Sequence, residues 1–207
     1  MSIDLAAANA ELKDKTPQEI IAWALANSEK PLVTTNFRPY EAVILHMAVQ
    51  VNPDIKVLWV DSGYNTSATY RFAEKVIQDL NLNVDTYIPQ MTSARRNVLM
   101  KGIPEVDEPL HEEFTRQVKL EPFQRALAEL KPDLWLNAIR KDQTEFRQNM
   151  EIVSSSKDGI IKVAPLYNWT EQDLENYLAE HNLPNEHDYF DPTKAIENRE
   201  CGLHTQL

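Results

Sequence analysis

Ile55-Lys56-Val57-Leu58-Trp59-Val60-Asp61-Ser62-Gly63-Tyr64 is a short apolar run that stops abruptly at a polar turn. The run is too brief for an ordinary helix, and it does not alternate apolar with polar residues. It therefore reads as a strand covered on both faces, the habit of a parallel sheet interior. Gly63 fits a turn position with positive φ. Residues 66–80 then carry apolar side chains at helical spacing along one face.

The same strand, turn and helix unit recurs on either side. Pro31-Leu32-Val33-Thr34-Thr35 is a short strand, followed by the turn Asn36-Phe37-Arg38-Pro39 and an almost wholly apolar helix from Tyr40 to Val51. Further strands are expected at Val84 to Ile88, Leu134 to Ile139 and Ile160 to Ala164, and further helices over 91–101, 121–130 and 170–181. Thr16-Pro17-Gln18-Glu19 opens a helix with Thr at the cap, Pro at the first position and Glu at the third, and Thr170 with Asp173 repeats the device. Residues 1–15 read as a loose helical arm and 102–118 as an irregular acidic stretch. Strands alternating with helices specify an α/β fold, a parallel twisted sheet of about five strands with helices on both faces. Residues 1–182 form the α/β domain. From 183 to 207 the composition shifts to Pro, Asn, Asp and His, which predicts a flexible C-terminal tail.

The 207 residues suffice for one domain with a sizeable core, and 43% hydrophobic with 26% charged residues is the balance of a globular protein. No run reaches the roughly 18 apolar residues of a membrane span, and the N-terminus lacks a basic-then-apolar signal pattern. The net charge of −11 argues against nucleic acid as a partner, but leaves room for a local basic pocket holding a small anion. The five histidines show no metal-ligand spacing, so no metal site is expected.

In such sheets ligands sit outside the carboxyl ends of the strands. Three turns qualify. Thr34-Thr35-Asn36-Phe37-Arg38 offers hydroxyls, amides and a helix start to a phosphate or sulfate, or is an ordinary strand-to-helix cap. Asp61-Ser62-Gly63-Tyr64 offers a tight turn and a ring able to stack on a base, or is a turn alone. Arg140-Lys141-Asp142-Gln143-Thr144-Glu145-Phe146-Arg147 gathers three cations suited to polyanions, or is a solvated run paired with its own acids.

Cys201 is the chain's one cysteine. A lone thiol cannot close a disulfide within its chain or assemble a cysteine-ligated iron–sulfur cluster. In Arg199-Glu200-Cys201-Gly202-Leu203-His204 it has charged neighbours, unlike a buried structural cysteine. Its chemistry would be that of a nucleophile whose resolving thiol comes from another molecule, in a reducing compartment.

Together these residues resemble the sulfonucleotide reductases, most closely the thioredoxin-dependent phosphoadenylyl-sulfate (PAPS) reductases. The family's tail motif Glu-Cys-Gly-Leu-His is intact as Glu200 to His204. Val60 to Tyr64 is similar to its Asp-Thr-Gly-Tyr turn, Val118-Lys119-Leu120-Glu121-Pro122 to its Lys-Val-Glu-Pro segment, and Ile139 to Thr144, with Arg147, to its arginine loop. Pro165-Leu166 and Trp169-Thr170 match the segment before the last helix. The likeness runs from about Pro31 to the C-terminus. Two places depart from the family: the first turn lacks its Ser-rich stretch with Gly, and the segment between Leu183 and Cys201 is shorter and lacks its Gly-Tyr and Gly-Asp-His elements.

The resemblance implies an adenine nucleotide alpha hydrolase-like fold and a cytoplasmic enzyme of sulfate assimilation, with Cys201 as the catalytic nucleophile on the tail. It implies that Thr34, Thr35, Asn36, Phe37, Arg38, Asp61, Ser62, Gly63, Tyr64, Lys119, Arg140, Lys141, Gln143, Arg147 and His204 bind substrate. The partners implied are PAPS, adenosine 3′,5′-bisphosphate, thioredoxin or glutaredoxin, and a second copy in a homodimer. The branch that reduces adenylyl sulfate carries a Cys-Cys pair where this chain has Phe114-Thr115, so no iron–sulfur cluster is expected and PAPS is favoured as substrate. Two rivals stay open: an ATP-cleaving adenylyl transferase of the same superfamily, and a non-catalytic nucleotide-binding protein.

Overall fold

A computed structural model describes residues 3–194. Cys201 and His204 lie outside the described residues. Among the described residues the sheet has six strands in the order β3-β2-β1-β4-β6-β5. They are β1 (Pro31–Thr35), β2 (Lys56–Val60), β3 (Asn83–Tyr87), β4 (Leu134–Leu136), β5 (Val153–Ser155) and β6 (Ile161–Val163). Every pairing is parallel except that of β5 with β6. The short antiparallel β5 is the strand the sequence pattern did not announce. Val153-Ser154-Ser155 has one apolar residue and no periodicity to read.

The side-chain period of two sorts the strands onto two layers. Val33, Val57, Trp59, Leu134 and Leu136 face one core, which α2 (Pro17–Ala26), α3 (Glu41–Val51), α4 (Ser67–Asp79) and α9 (Glu171–Glu180) cover. Leu32, Leu58 and Trp135 face a smaller core closed by Phe123 and Ala126 of α7 (Glu121–Leu130). Eight of the eleven residues of α3 are buried, which explains why that helix is apolar on most of its circumference. Both capping boxes form as the sequence predicts, at Thr16 with Glu19 and at Thr170 with Asp173. His46 of α3 is half-buried, its Nδ1 2.8 Å from the Tyr177 hydroxyl.

Three further segments differ from the sequence reading. The arm over 1–15 contains α1 (Leu5–Leu12), and it is docked: Ala8 and Leu12 are buried, and Asn9 clips the helix to the sheet edge. The Asn9 side chain accepts from the Val153 N–H at 2.9 Å and donates to the Val153 carbonyl at 2.8 Å. It thereby occupies the outer hydrogen-bonding groups of β5, one way a fold protects an open edge.

The acidic stretch 102–118 is partly helical. After α5 (Ser93–Met100), α6 (Leu110–Thr115) runs through a π-helical turn (Arg116–Leu120) into α7. Pro122 accounts for the widened turn, because its ring would collide with the Val118 carbonyl in a regular α-helix. The Glu121 N–H reaches back five residues to Arg116 instead.

The third segment is 183–194, read with the tail, which lies strapped across the body. Asn185 accepts from the Tyr40 N–H at 2.8 Å, and the Asp188 carbonyl accepts from the Thr66 and Thr69 hydroxyls at 2.8 and 2.9 Å.

Asn9→Ala leaves the buried Val153 backbone groups without partners and should cost about 1–2 kcal/mol. Urea denaturation of the full chain measures the loss as a lowered midpoint at unchanged slope.

Candidate active site

The chain lays down β1, β2 and β3 moving one way across the sheet, then returns to place β4 on the other side of β1. The β1 and β4 ends are therefore a switch point, where loops diverge and leave a crevice. Such a crevice exists there, with a volume of about 920 Å³ including the part open to solvent. Its floor is apolar, from Leu58, Val60, Val118, Phe123, Trp135 and Ile139. Among the described residues its cations are Arg38, Lys119, Arg147 and Lys194, against the two carboxylates of Glu41 and Asp191. A chain of net charge −11 has thus collected a local excess of positive charge over a flat apolar bed. That combination suits an adenine ring with anionic groups attached.

Of the first turn, Thr34, Thr35, Asn36 and Arg38 line the crevice. The Thr34 hydroxyl accepts from the Trp135 ring N–H at 2.8 Å. Phe37 goes elsewhere. Its backbone is left-handed, with φ of 53°, and its side chain is buried edge-on against Trp59 at 4.9 Å. That reversal points the loop's donors at one acceptor, the carboxylate of Glu41 at the start of α3. Glu41 Oε2 accepts from the Thr35 hydroxyl at 2.6 Å, the Asn36 N–H at 2.7 Å and the Phe37 N–H at 3.1 Å. Oε1 accepts from Arg38 Nε at 2.9 Å. With its amide nitrogen turned toward Glu41, Asn36 also accepts from the Tyr189 hydroxyl at 2.8 Å, joining loop to strap.

In the second turn Ser62 lines the crevice, while Asp61 works behind it. Asp61 Oδ1 accepts from the Gly63 N–H, the Asn65 amide and the Tyr70 hydroxyl, each at 2.9 Å. Gly63 takes φ of 79°, as a tight turn requires. Burial, aided by the bond to Asp61, pushes the Tyr70 hydroxyl up to about 12, so it stays a donor. Tyr64 turns away from the crevice. Its hydroxyl donates to Asn97 at 2.8 Å and its ring packs against Phe114.

The third turn divides its cations. Arg147, on the short helix α8 (Glu145–Gln148), is buried and lines the crevice. Gln143 braces it, accepting from both the Arg147 guanidinium and the Arg140 N–H. Arg140 is bound by its own neighbour, with Nε 3.0 Å from Asp142, and lines a separate hollow beside Arg38 and Glu41. Lys141 is exposed and donates to Asn168.

Lys119 enters the crevice from the π-helical turn. Its Nζ lies 2.6 Å from Asp191 Oδ2 and 3.2 Å from the Thr193 hydroxyl, in a largely buried pair. Burial pushes the Asp191 carboxyl up, but Lys119 and the Thr193 hydroxyl and N–H outweigh it and hold the group below its usual range. Through this pair the strap forms one wall, with Tyr189 to Lys194 all lining the crevice. Arg116 and Arg125 do not line the crevice and pair with Glu113 and Glu121 instead.

Glu41, Asn65, Asn137, Trp135 and Asp191 were missed as crevice residues. Glu41 is legible only as a first-turn acid of a helix, a common and uninformative placing. Asp191 offered one signal, an Asp-Pro-Thr turn in an otherwise polar segment.

The chain matches the family described as "Phosphoadenosine phosphosulfate reductase domain" over residues 30–191. The chain belongs to that family. It is 39% identical to a phosphoadenosine 5′-phosphosulfate reductase of Synechococcus sp., with 95% of each chain covered. It is 36% identical to one of Synechocystis sp., covering 99% of this chain and 92% of the relative. Among solved structures, the PAPS reductase of Candida auris in a phosphate complex superposes with a TM-score of 0.77 at 25% identity, covering 89% of this chain and 90% of the other. The parallel sheet and flanking helices are those of that structure. Among the described residues no helix is long and apolar enough to cross a membrane.

Because the folded Asp191 pKa is depressed, the Lys119–Asp191 pair contributes fully above the unfolded value of about 3.9 and is lost as pH falls through the lower folded value. Hydrogen exchange should therefore show Thr193 equally protected at pH 5 and pH 7. Asp191→Asn should raise exchange across the strap by about 100-fold at both, since one partner of a buried pair is gone.

Proposed function

We propose that the chain reduces PAPS to sulfite and adenosine 3′,5′-bisphosphate, with thioredoxin or glutaredoxin as the dithiol and Cys201 as carrier of the sulfo group. One observation carries the reading: the cation-lined crevice at the sheet's switch point is walled by the strap that leads to Cys201. Thr193 and Lys194 stand at that wall, and Cys201 follows Lys194 by seven residues. That length of chain spans at most about 25 Å, enough to bring the thiol to the crevice. The reductases among the relatives cover nearly the whole chain, which supports the same reading.

In the first step the Cys201 thiolate attacks the sulfuryl sulfur. The sulfur–oxygen bond to the phosphate breaks, adenosine 3′,5′-bisphosphate leaves with the bonding pair, and an S-sulfocysteine remains. In the second, a thiolate of the dithiol attacks the Cys201 sulfur and expels sulfite. Its other thiol then resolves the mixed disulfide, restoring the Cys201 thiol and yielding an oxidised dithiol. The two electrons that reduce the sulfo group come from that dithiol.

Lys119 and Arg147 have the task of meeting the charge that develops on the departing phosphate. The apolar floor takes the adenine. Arg199 and His204 favour the thiolate, and Glu200 opposes it. Phe114-Thr115, where the adenylyl-sulfate branch carries a cysteine pair, favours PAPS over adenylyl sulfate.

The deciding measurement is mass spectrometry of the intact chain mixed with PAPS or adenylyl sulfate without reductant. One sulfo group on Cys201 from PAPS is expected, and an unmodified thiol with both nucleotides would defeat the proposal. Cys201→Ser should keep nucleotide binding and release no sulfite. Lys119→Ala should weaken adenosine 3′,5′-bisphosphate binding by about tenfold or more in calorimetry.

A further inference from the structure

The donors of the first turn are the ones a strand-to-helix loop normally offers an anionic ligand. They comprise a hydroxyl, two successive backbone N–H groups and a guanidinium, gathered above the start of α3. All four are already bonded, and all to Glu41. Glu41 is 6% exposed, yet it belongs to the crevice wall. The backbone is shaped around it: Phe37 and Tyr40, neither a glycine, both hold left-handed φ values of 53° and 71°. Those conformations are unfavourable for residues with side chains. The convergence of four donors on one carboxylate offsets them. This side chain is therefore an internal anion, seated where a ligand's phosphate would otherwise go.

We propose that Glu41 is a specificity-determining residue: its carboxylate fills the loop's anion seat, so the crevice accepts a nucleotide ending in a sulfo group and rejects one ending in pyrophosphate. This rests on the reading of the crevice as a PAPS site. A nucleoside triphosphate would bring a terminal phosphate of about −1.5 to −2 charge against a fixed carboxylate, with the loop donors already taken. A sulfuryl group carries a single negative charge and accepts hydrogen bonds more weakly, so it loses less by having no seat there. The anionic ends of PAPS are left to Lys119 and Arg147, which line the same crevice.

Calorimetry on the full chain tests this with two probes. Adenosine 3′,5′-bisphosphate should bind the wild-type chain, and inorganic pyrophosphate should not bind it at millimolar concentration. Glu41→Ala, which frees the donors, should gain pyrophosphate affinity of at least about tenfold. Glu41→Gln keeps an oxygen for the loop while removing the charge, and should gain less. Bisphosphate binding to the wild type together with no pyrophosphate gain in either variant would overturn the role of Glu41. Failure of the wild type to bind bisphosphate would instead overturn the reading of the crevice beneath it. Should Glu41→Ala not fold, a crystal structure of the wild type with adenosine 3′,5′-bisphosphate decides. Glu41 is expected still on the Asn36 and Phe37 N–H groups, and a ligand phosphate oxygen on those groups refutes the proposal.

Discussion

The parallel pairing of β1 on both its edges governs this molecule. Val33 registers with Val57 on one side and Leu136 on the other, so β1 has neither a free edge nor a free face. Its only outlet is its carboxyl end. The strands to either side belong to chain segments that run in opposite directions across the sheet, and the loops leaving them must part. A crevice at that point follows from topology before any side chain is chosen. Residue identity then decides what the crevice holds.

What it holds is charge under control. Cations on the crevice walls of an acidic protein would repel one another and cost desolvation without partners. Here Lys119 is met by Asp191 and Arg38 by Glu41. The two pairings differ in kind. Glu41, at the start of α3, turns its carboxylate back into the first loop and organises its backbone, whereas Asp191 arrives from a segment far along the chain. One shapes the crevice locally, and the other ties a distant strap to its wall.

Much of this was readable in the sequence, for physical reasons. Val57-Leu58-Trp59 announces its strand because a segment covered on both faces is apolar at consecutive positions, and Thr16 with Glu19 announces a helix start because a capping box needs those side chains at that spacing. Ser62, Lys119 and Arg147 were found because polar groups after apolar strands, or in a motif, stand out. The remainder was hidden by geometry that no local pattern encodes. Phe37 looks like a loop residue, yet a left-handed backbone turns it into the core. Tyr64 looks free to stack, yet Asn97 and Phe114 claim it. Arg140 and Lys141 share a run with Arg147, and only their bonds to Asp142 and Asn168 separate them from it. The hold on residues 183–194 depends on contacts with Tyr40, Thr66 and Thr69, more than a hundred positions earlier in the chain.

The anchoring of Asp191 at Lys119 also closes a ring. The two residues stand 72 positions apart, and the chain between them includes β4, β5, β6, α8 and α9. The entropy of closure grows only with the logarithm of loop length, so a clasp this long costs little more than a short one. Because the clasp is ionic rather than covalent, it opens and shuts without any reagent.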